Sequence, residues 1–184
     1  RDLLYISVRS EDNSVALSTG PNVATWAQTG LSANTSQQMF VEAYNPVGFS
    51  SSVAVLRYTQ ANAPTGTSIS ARTSDTVTVA WLDGGNRSGT VFEAQRATEN
   101  GFAASVPATT TALSFQFAGL LPNTSYYFKA RAKNDDGFFS VYDSSVSTTT
   151  ATEATPPAAP GILARLALDA RINLNWPANT ETDL

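Results

Sequence analysis

The sequence predicts an all-β protein made of β-sandwich modules in tandem, and three observations carry that prediction. The stretch Gly119 to Ser140, GLLPNTSYYFKARAKNDDGFFS, alternates Leu120, Pro122, Thr124, Tyr126, Phe128, Ala130 and Ala132 before a glycine turn at Gly137. A period of two is that of a strand with one buried face. A second copy, GLSANTSQQMFVEAYNPVGFS, runs from Gly30 to Ser50 at a constant offset of 89 residues, with Leu31, Asn34, Thr35, Ala43, Asn45 and Gly48 repeating Leu120, Asn123, Thr124, Ala132, Asn134 and Gly137. A repeat that long is a whole domain. Near the C-terminus, Ile172, Leu174 and Trp176 repeat Val77, Val79 and Trp81 at an offset of 95 residues.

Taken in order, Leu4, Ile6 and Val8 alternate into a polar turn at Glu11 to Asn13, which predicts a strand in the first 60 residues. From Pro64 and Gly66 a complete module begins: Ile69 and Ala71 in a first strand, a turn at Thr73 to Asp75, then Val77, Val79 and Trp81 on one face of a second. The run Asp83 to Gly89 is expected to be a flexible loop. Phe92, Ala94 and Arg96 follow in a third strand, Leu113, Phe115 and Phe117 in a fourth, and Val141 to Val146 in the last. From Ser147 to Pro160 the composition changes to STTTATEATPPAAP, expected to be an extended, semi-rigid linker.

Pro122 with Asn123 and Thr124 marks a corner before Tyr126, and this looks like a tyrosine corner, with the ring in the core and its hydroxyl bonded to nearby backbone. The spacing resembles the fibronectin type III family, with Trp81 resembling that family's tryptophan in strand B. The resemblance implies immunoglobulin-like sandwiches of seven strands, A to G. It assigns a partial module (strands C to G) to residues 1–60, a complete one to 61–150, and a linker plus strands A and B of a further module to 151–184. Core positions are Trp81, Leu120, Tyr126, Phe128 and Trp176. The first copy departs at Ala33 and Gln37, where Pro122 and Tyr126 stand in the second, so its corner is expected to be weaker.

The two offsets together equal the 184-residue length, so residues 153–184 supply the strands that residues 1–60 lack. Burying side chains such as Ile172, Leu174 and Trp176 contributes roughly 1.5–3 kcal/mol each. Neither fragment is expected to fold well alone. Closure within one chain is disfavoured, because type III termini lie at opposite poles. Either the chain is a window on a longer covalent array or it hands its C-terminal hairpin to the next copy, head to tail.

Composition narrows the function. Net charge is −4 and pI about 4.7, with no basic run, which argues against nucleic acid or an anionic membrane as partner. No apolar run reaches a membrane span's length, and a start at Arg1 points to an internal or processed piece. Without histidine or cysteine, the common nucleophile–base pairs and thiolate metal sites are unavailable. No catalytic, cofactor or metal residues are expected, and Asp135 and Asp136 read as turn residues. Glu181 and Asp183 alone are weak grounds for a Ca²⁺ site. Sequons at Asn34 and Asn123 fall in the corner motif, and a third is at Asn86. Phe138 and Phe139, with Phe49 after the equivalent glycine, are candidate interface residues together with Ile172 and Leu174. The leading expectation for Phe138 and Phe139 is packing against the preceding module or the linker. The function implied is structural: part of an extracellular filament, stalk or adhesin-like surface array, with neighbouring type III modules as partners. The alternative is a spacer, or weak carbohydrate contact, in a secreted polysaccharide-degrading enzyme.

Overall fold

In the computed structural model, the described residues are 5–10 and 15–153, with the strands Ala164–Leu168 and Arg171–Asn175 described by their backbone. They contain strands and no helix. The first unit is one antiparallel sheet: β1 (Tyr5–Ser10), β2 (Val15–Thr19), β3 (Ser36–Asn45), β4 (Gly48–Ser51) and β5 (Val55–Tyr58). Its order is β2-β1-β3-β4, with β5 also pairing β3. Residues 20–35 between β2 and β3 form no strand.

The middle unit is a two-sheet sandwich. One sheet joins β6 (Thr65–Arg72), β7 (Val77–Leu82) and β10 (Ser114–Phe117) in the order β10-β7-β6. The other joins β8 (Val91–Ala97), β9 (Val106–Thr110), β11 (Ser125–Lys133) and β12 (Val146–Thr149) in the order β12-β11-β8-β9. Beyond it, β13 (Ala164–Leu168) and β14 (Arg171–Asn175) form an antiparallel hairpin.

Alternation places the core as the sequence requires. Along β7, Val77, Val79 and Trp81 are buried; along β11, Tyr126, Phe128, Ala130 and Ala132 are buried and meet them across the sandwich. Phe128 packs on Phe117 at a ring separation of 5.4 Å, and Trp81 on Phe92 at 5.9 Å. β11 starts at Ser125, so Leu120 to Thr124 belong to the corner rather than the strand. There the Leu121 N–H donates to the Tyr126 hydroxyl at 3.0 Å, while buried Leu120 closes the core. Asn123 takes a left-handed φ of 47° and Asn34 one of 49°, a conformation that asparagine tolerates better than most residues.

Three expectations are corrected. The last strand lies not over Val141 to Val146 but at Val146–Thr149, so part of the expected linker is laddered onto β11, with Ser147 opposite Tyr127. The chain before it turns aside because Asp143 reaches the other sheet, where its Oδ2 accepts the Thr67 N–H at 2.8 Å. The Asp83 to Gly89 loop is pinned rather than flexible: the Asn86 side chain accepts the Asn62 N–H and donates to the Asn62 carbonyl, both at 2.9 Å. Strand β9 had no expected counterpart, since its Pro107 and threonines mask the alternation.

Burial pushes the Asp143 carboxyl up, but hydrogen bonds from the Thr67 and Ser144 N–H groups outweigh it and hold it below the ordinary 3.8. A depressed folded-state value means stability that is present above the unfolded value and is lost as pH falls through the folded one. Asp143→Ala is expected to cost about 1–3 kcal/mol at neutral pH, by stranding the buried Thr67 donor. Asp143→Asn keeps an acceptor and removes this pH dependence. Urea unfolding at pH 7 and pH 3 reads both.

Candidate functional site

The site begins with a comparison inside the molecule. Gln37, Met39, Val41 and Ala43 on β3 occupy the repeat positions of Tyr126, Phe128, Ala130 and Ala132 on β11. The residues on β11 are at most 4% exposed, because β7 and its neighbours cover them. On β3 the same face is open, and Val41 is 41% exposed. Among the described residues of the first unit, no second sheet faces it. The result is an apolar trough of about 510 Å³, lined chiefly by Ile6, Val8, Leu17, Trp26, Met39 and Val41, with no charged side chain on its wall among the described residues. The 20–35 segment supplies one flank through Val23, Trp26 and Leu31, each more than a third exposed.

The junction between the two units forms a second constellation. The chain passes from β5 into the buried Ala61 with no intervening linker. Asn34, fully buried at the first corner, donates from Nδ2 to Thr90 Oγ1 at 2.8 Å and accepts the Asp135 N–H on Oδ1 at 3.0 Å. Its carbonyl accepts Arg87 Nε at 2.8 Å, and Arg87 also forms an ion pair with Asp135. Asp136 Oδ2 accepts the Tyr58 N–H at 2.8 Å, and Gln60 Nε2 donates to the Phe139 carbonyl at 2.9 Å. Burial of the Asn34 amide makes these bonds directional constraints, since an unpaired buried polar group is costly. What the loops of the middle unit do chemically is hold a neighbour.

On the outer face of the middle unit, cations and rings alternate. Lys129 Nζ lies 4.1 Å from the Phe102 ring centre and 4.0 Å from that of Tyr142; the Arg131 guanidinium lies 4.5 Å from Tyr142 and 3.8 Å from Phe139. Burial, then the Glu93 carboxylate, pushes the Tyr142 phenol up to about 12. On the first unit the Tyr44 hydroxyl bond, followed by the one from Arg9, holds the Glu42 carboxyl below its usual range. These groups are satisfied by one another, which suits structural roles.

The positions expected from sequence separate into distinct environments. Trp81, Leu120, Tyr126 and Phe128 lie in the core of the middle unit. Phe49 and Phe138, the repeat equivalents, are 62% and 65% exposed, and Phe139 is 36% exposed. Contact with the preceding unit falls to Asn134, Asp135, Asp136 and the Phe139 carbonyl, while the Phe139 ring turns onto Arg131. Phe49 packs on Tyr44, which stacks on Tyr5. For Ile172 and Leu174 the strand pairing is described but the side chains lie outside the described residues, as do Trp176, Glu181 and Asp183. Sequence reasoning missed the Asn34, Arg87 and Asp135 junction. Its signal was the corner asparagine, read as turn chemistry alone. Among the described residues, no group of three or more Asp or Glu is placed to hold a metal ion. No helix there is long and apolar enough to cross a membrane.

Comparison with known proteins adds the following. The family model for the fibronectin type III domain matches residues 62–150. Exoglucanase B of Cellulomonas fimi is 30% identical over 171 residues, 85% of this chain but 16% of its own length. The chain thus spans about a sixth of that relative. Among solved structures, the FN1–FN3 domains of chicken CNTN1 and domains A168–A170 of titin each align over 82% of this chain at 17% identity, with a TM-score of 0.48. They are covered over 56% and 55% of their own lengths.

Proposed function

From the premise that residues 62–150 belong to the fibronectin type III family, we propose that this chain is a non-catalytic, load-bearing spacer in an extracellular protein, setting neighbouring modules at a fixed angle. The junction carries this reading: a buried asparagine, an ion pair and main-chain capture by Asp136 join the two units where a loose tether would leave them independent. The chain divides functionally at residues 1–60, 61–150 and 151–184, with the first and last portions acting as parts of modules completed by neighbours. Stacked head to tail, such modules suit a filament, a stalk or an adhesin-like array. Small-angle scattering with residual dipolar couplings tests it. One shared alignment frame for residues 32–59 and 62–150 is expected, and independent tumbling of the two would overturn it.

A second reading is favoured by the 30% identity to Exoglucanase B: an accessory region of a polysaccharide-degrading enzyme, acting as spacer or weak carbohydrate contact. Sedimentation of the chain with cellulose tests the carbohydrate contact: retention in the pellet favours it, and a chain wholly in the supernatant removes it and leaves a spacer.

A further inference from the structure

We propose that the outer face of the β12-β11-β8-β9 sheet binds an acidic polysaccharide along β11, through Lys129, Arg131 and Lys133. The inference stands beside either reading above, since a spacer and an accessory region alike present a side face to the polymers around them. The sequence hides this face, because Lys129, Arg131 and Lys133 alternate with Ala130 and Ala132 and form no basic run. The strand sorts them. Both alanines are 0% exposed in the core, so all three cations stand on the opposite side, about 7 Å from one to the next. Lys129 and Lys133 are the only lysines in the 184-residue sequence.

The carboxylates nearest to these cations in sequence are turned elsewhere. Asp135 pairs with Arg87 at the junction, Asp136 accepts the Tyr58 N–H, Asp143 accepts that of Thr67, and Glu99 accepts those of Gly101 and Ala103. Glu93 is the carboxylate that faces them, and its Oε1 accepts from Arg131, Tyr142 and Gln95. Among the described residues neither lysine has an ion pair. Three cations against one carboxylate leave this face positive on a chain of net charge −4.

Rings fix the charges in place and select the polymer. Lys129 Nζ lies within 4.1 Å of both the Phe102 and the Tyr142 ring centres, and the Phe139 ring centre lies 3.8 Å from the Arg131 guanidinium and 5.5 Å from Lys133 Nζ. Long side chains already held against rings have less freedom to lose on binding. Nucleic-acid bases need open ring faces to stack on, and here cations lie over them. A membrane is a plane, which a single line of charge on an acidic chain suits poorly. An extended polymer matches a line, and hydroxyls border it: exposed Thr109 stands opposite Glu93, and exposed Ser147 opposite Tyr127. Carboxylates for the cations and hydroxyls for these side chains are the groups that a uronic-acid polysaccharide carries.

The test is native electrophoresis of the 184-residue chain through gels with entrapped polygalacturonate, at neutral pH and low salt. Protein and polymer are both negative overall, so retardation reports a local site. The chain is expected to be retarded, and less so as salt rises, because bound cations displace the polymer's counterions. Lys129→Gln combined with Lys133→Gln is expected to weaken the interaction about tenfold or more, the order for two cations near an anionic surface. Lys129→Arg combined with Lys133→Arg keeps the charge and is expected to bind as the unmodified chain does, which separates lost charge from a loosened contact with Phe102 and Tyr142. Free migration of the unmodified chain at every polygalacturonate concentration overturns the proposal, as does equal retardation of the glutamine variant. Equal retardation by neutral hydroxyethylcellulose, or by poly-glutamate of matched charge, overturns it too: the ligand would then be sugar without charge, or charge without sugar.

Discussion

Replacing Phe128 with alanine is expected to destabilise the middle module by about 3–5 kcal/mol, the range for emptying a large aromatic site in a packed core. Its ring is 0% exposed and touches Phe117 and Tyr126, so no solvent path or neighbour readily fills the space. The same substitution one repeat earlier has a different expected outcome. Met39→Ala, at the equivalent position on the open face, is expected to cost less than about 1 kcal/mol while the trough is uncovered, because little apolar area is withdrawn from water there. Urea unfolding of both variants measures the difference, and equal losses would refute an open face.

Gly84→Ala should be nearly as damaging, for a backbone reason. Gly84 has a left-handed φ of 68°, and an added Cβ would fall 2.2 Å from the Ala63 carbonyl oxygen. The conformation alone costs a non-glycine residue about 1–2 kcal/mol, and a clash with main chain cannot be relieved by turning a side chain. The loop would have to move, taking with it Arg87 and Thr90, which hold Asn34 at the junction. The expected result is a loss above ~2 kcal/mol together with separate alignment frames for the two units. Gly89 is the control: its φ is 83° but its Cβ position is open, so Gly89→Ala should bear the conformational cost without the displacement. Equal effects of the two substitutions would place the damage in φ alone.

The exposed phenylalanines show how far a strand pattern reaches. Alternation predicts that only one of Phe138 and Phe139 points away from the core, yet both lie outside it, and what each meets there is settled by the neighbouring strand. Arg131, two residues along from Lys129, presents a guanidinium face that Phe139 covers. That pairing depends on which β11 residue the returning chain meets, and the antiparallel bridge between Lys133 and Phe139 fixes it. The Ser147 to Thr149 ladder escaped notice for a related reason. Threonines suit either a linker or an edge strand, and register with β11 decides between them.

By itself the sequence determined the repeating strand pattern, the corner with its left-handed asparagine and the apolar positions of the core. These follow from periods of two and from residues whose backbone preferences are local. It also determined that residues 164–175 repeat the β6–β7 pair. Only the tertiary structure decided that Asn34, Arg87 and Asp135 meet, since they come from three loops of two units and no local preference joins them. That residues 1–60 lack two strands was legible in the repeat, whereas the flanking of the face by Val23, Trp26 and Leu31 was decided there. Exposure of Val41 against burial of Ala130 depends on whether a second sheet lies across the first, a property of what packs opposite a strand rather than of the strand's own residues.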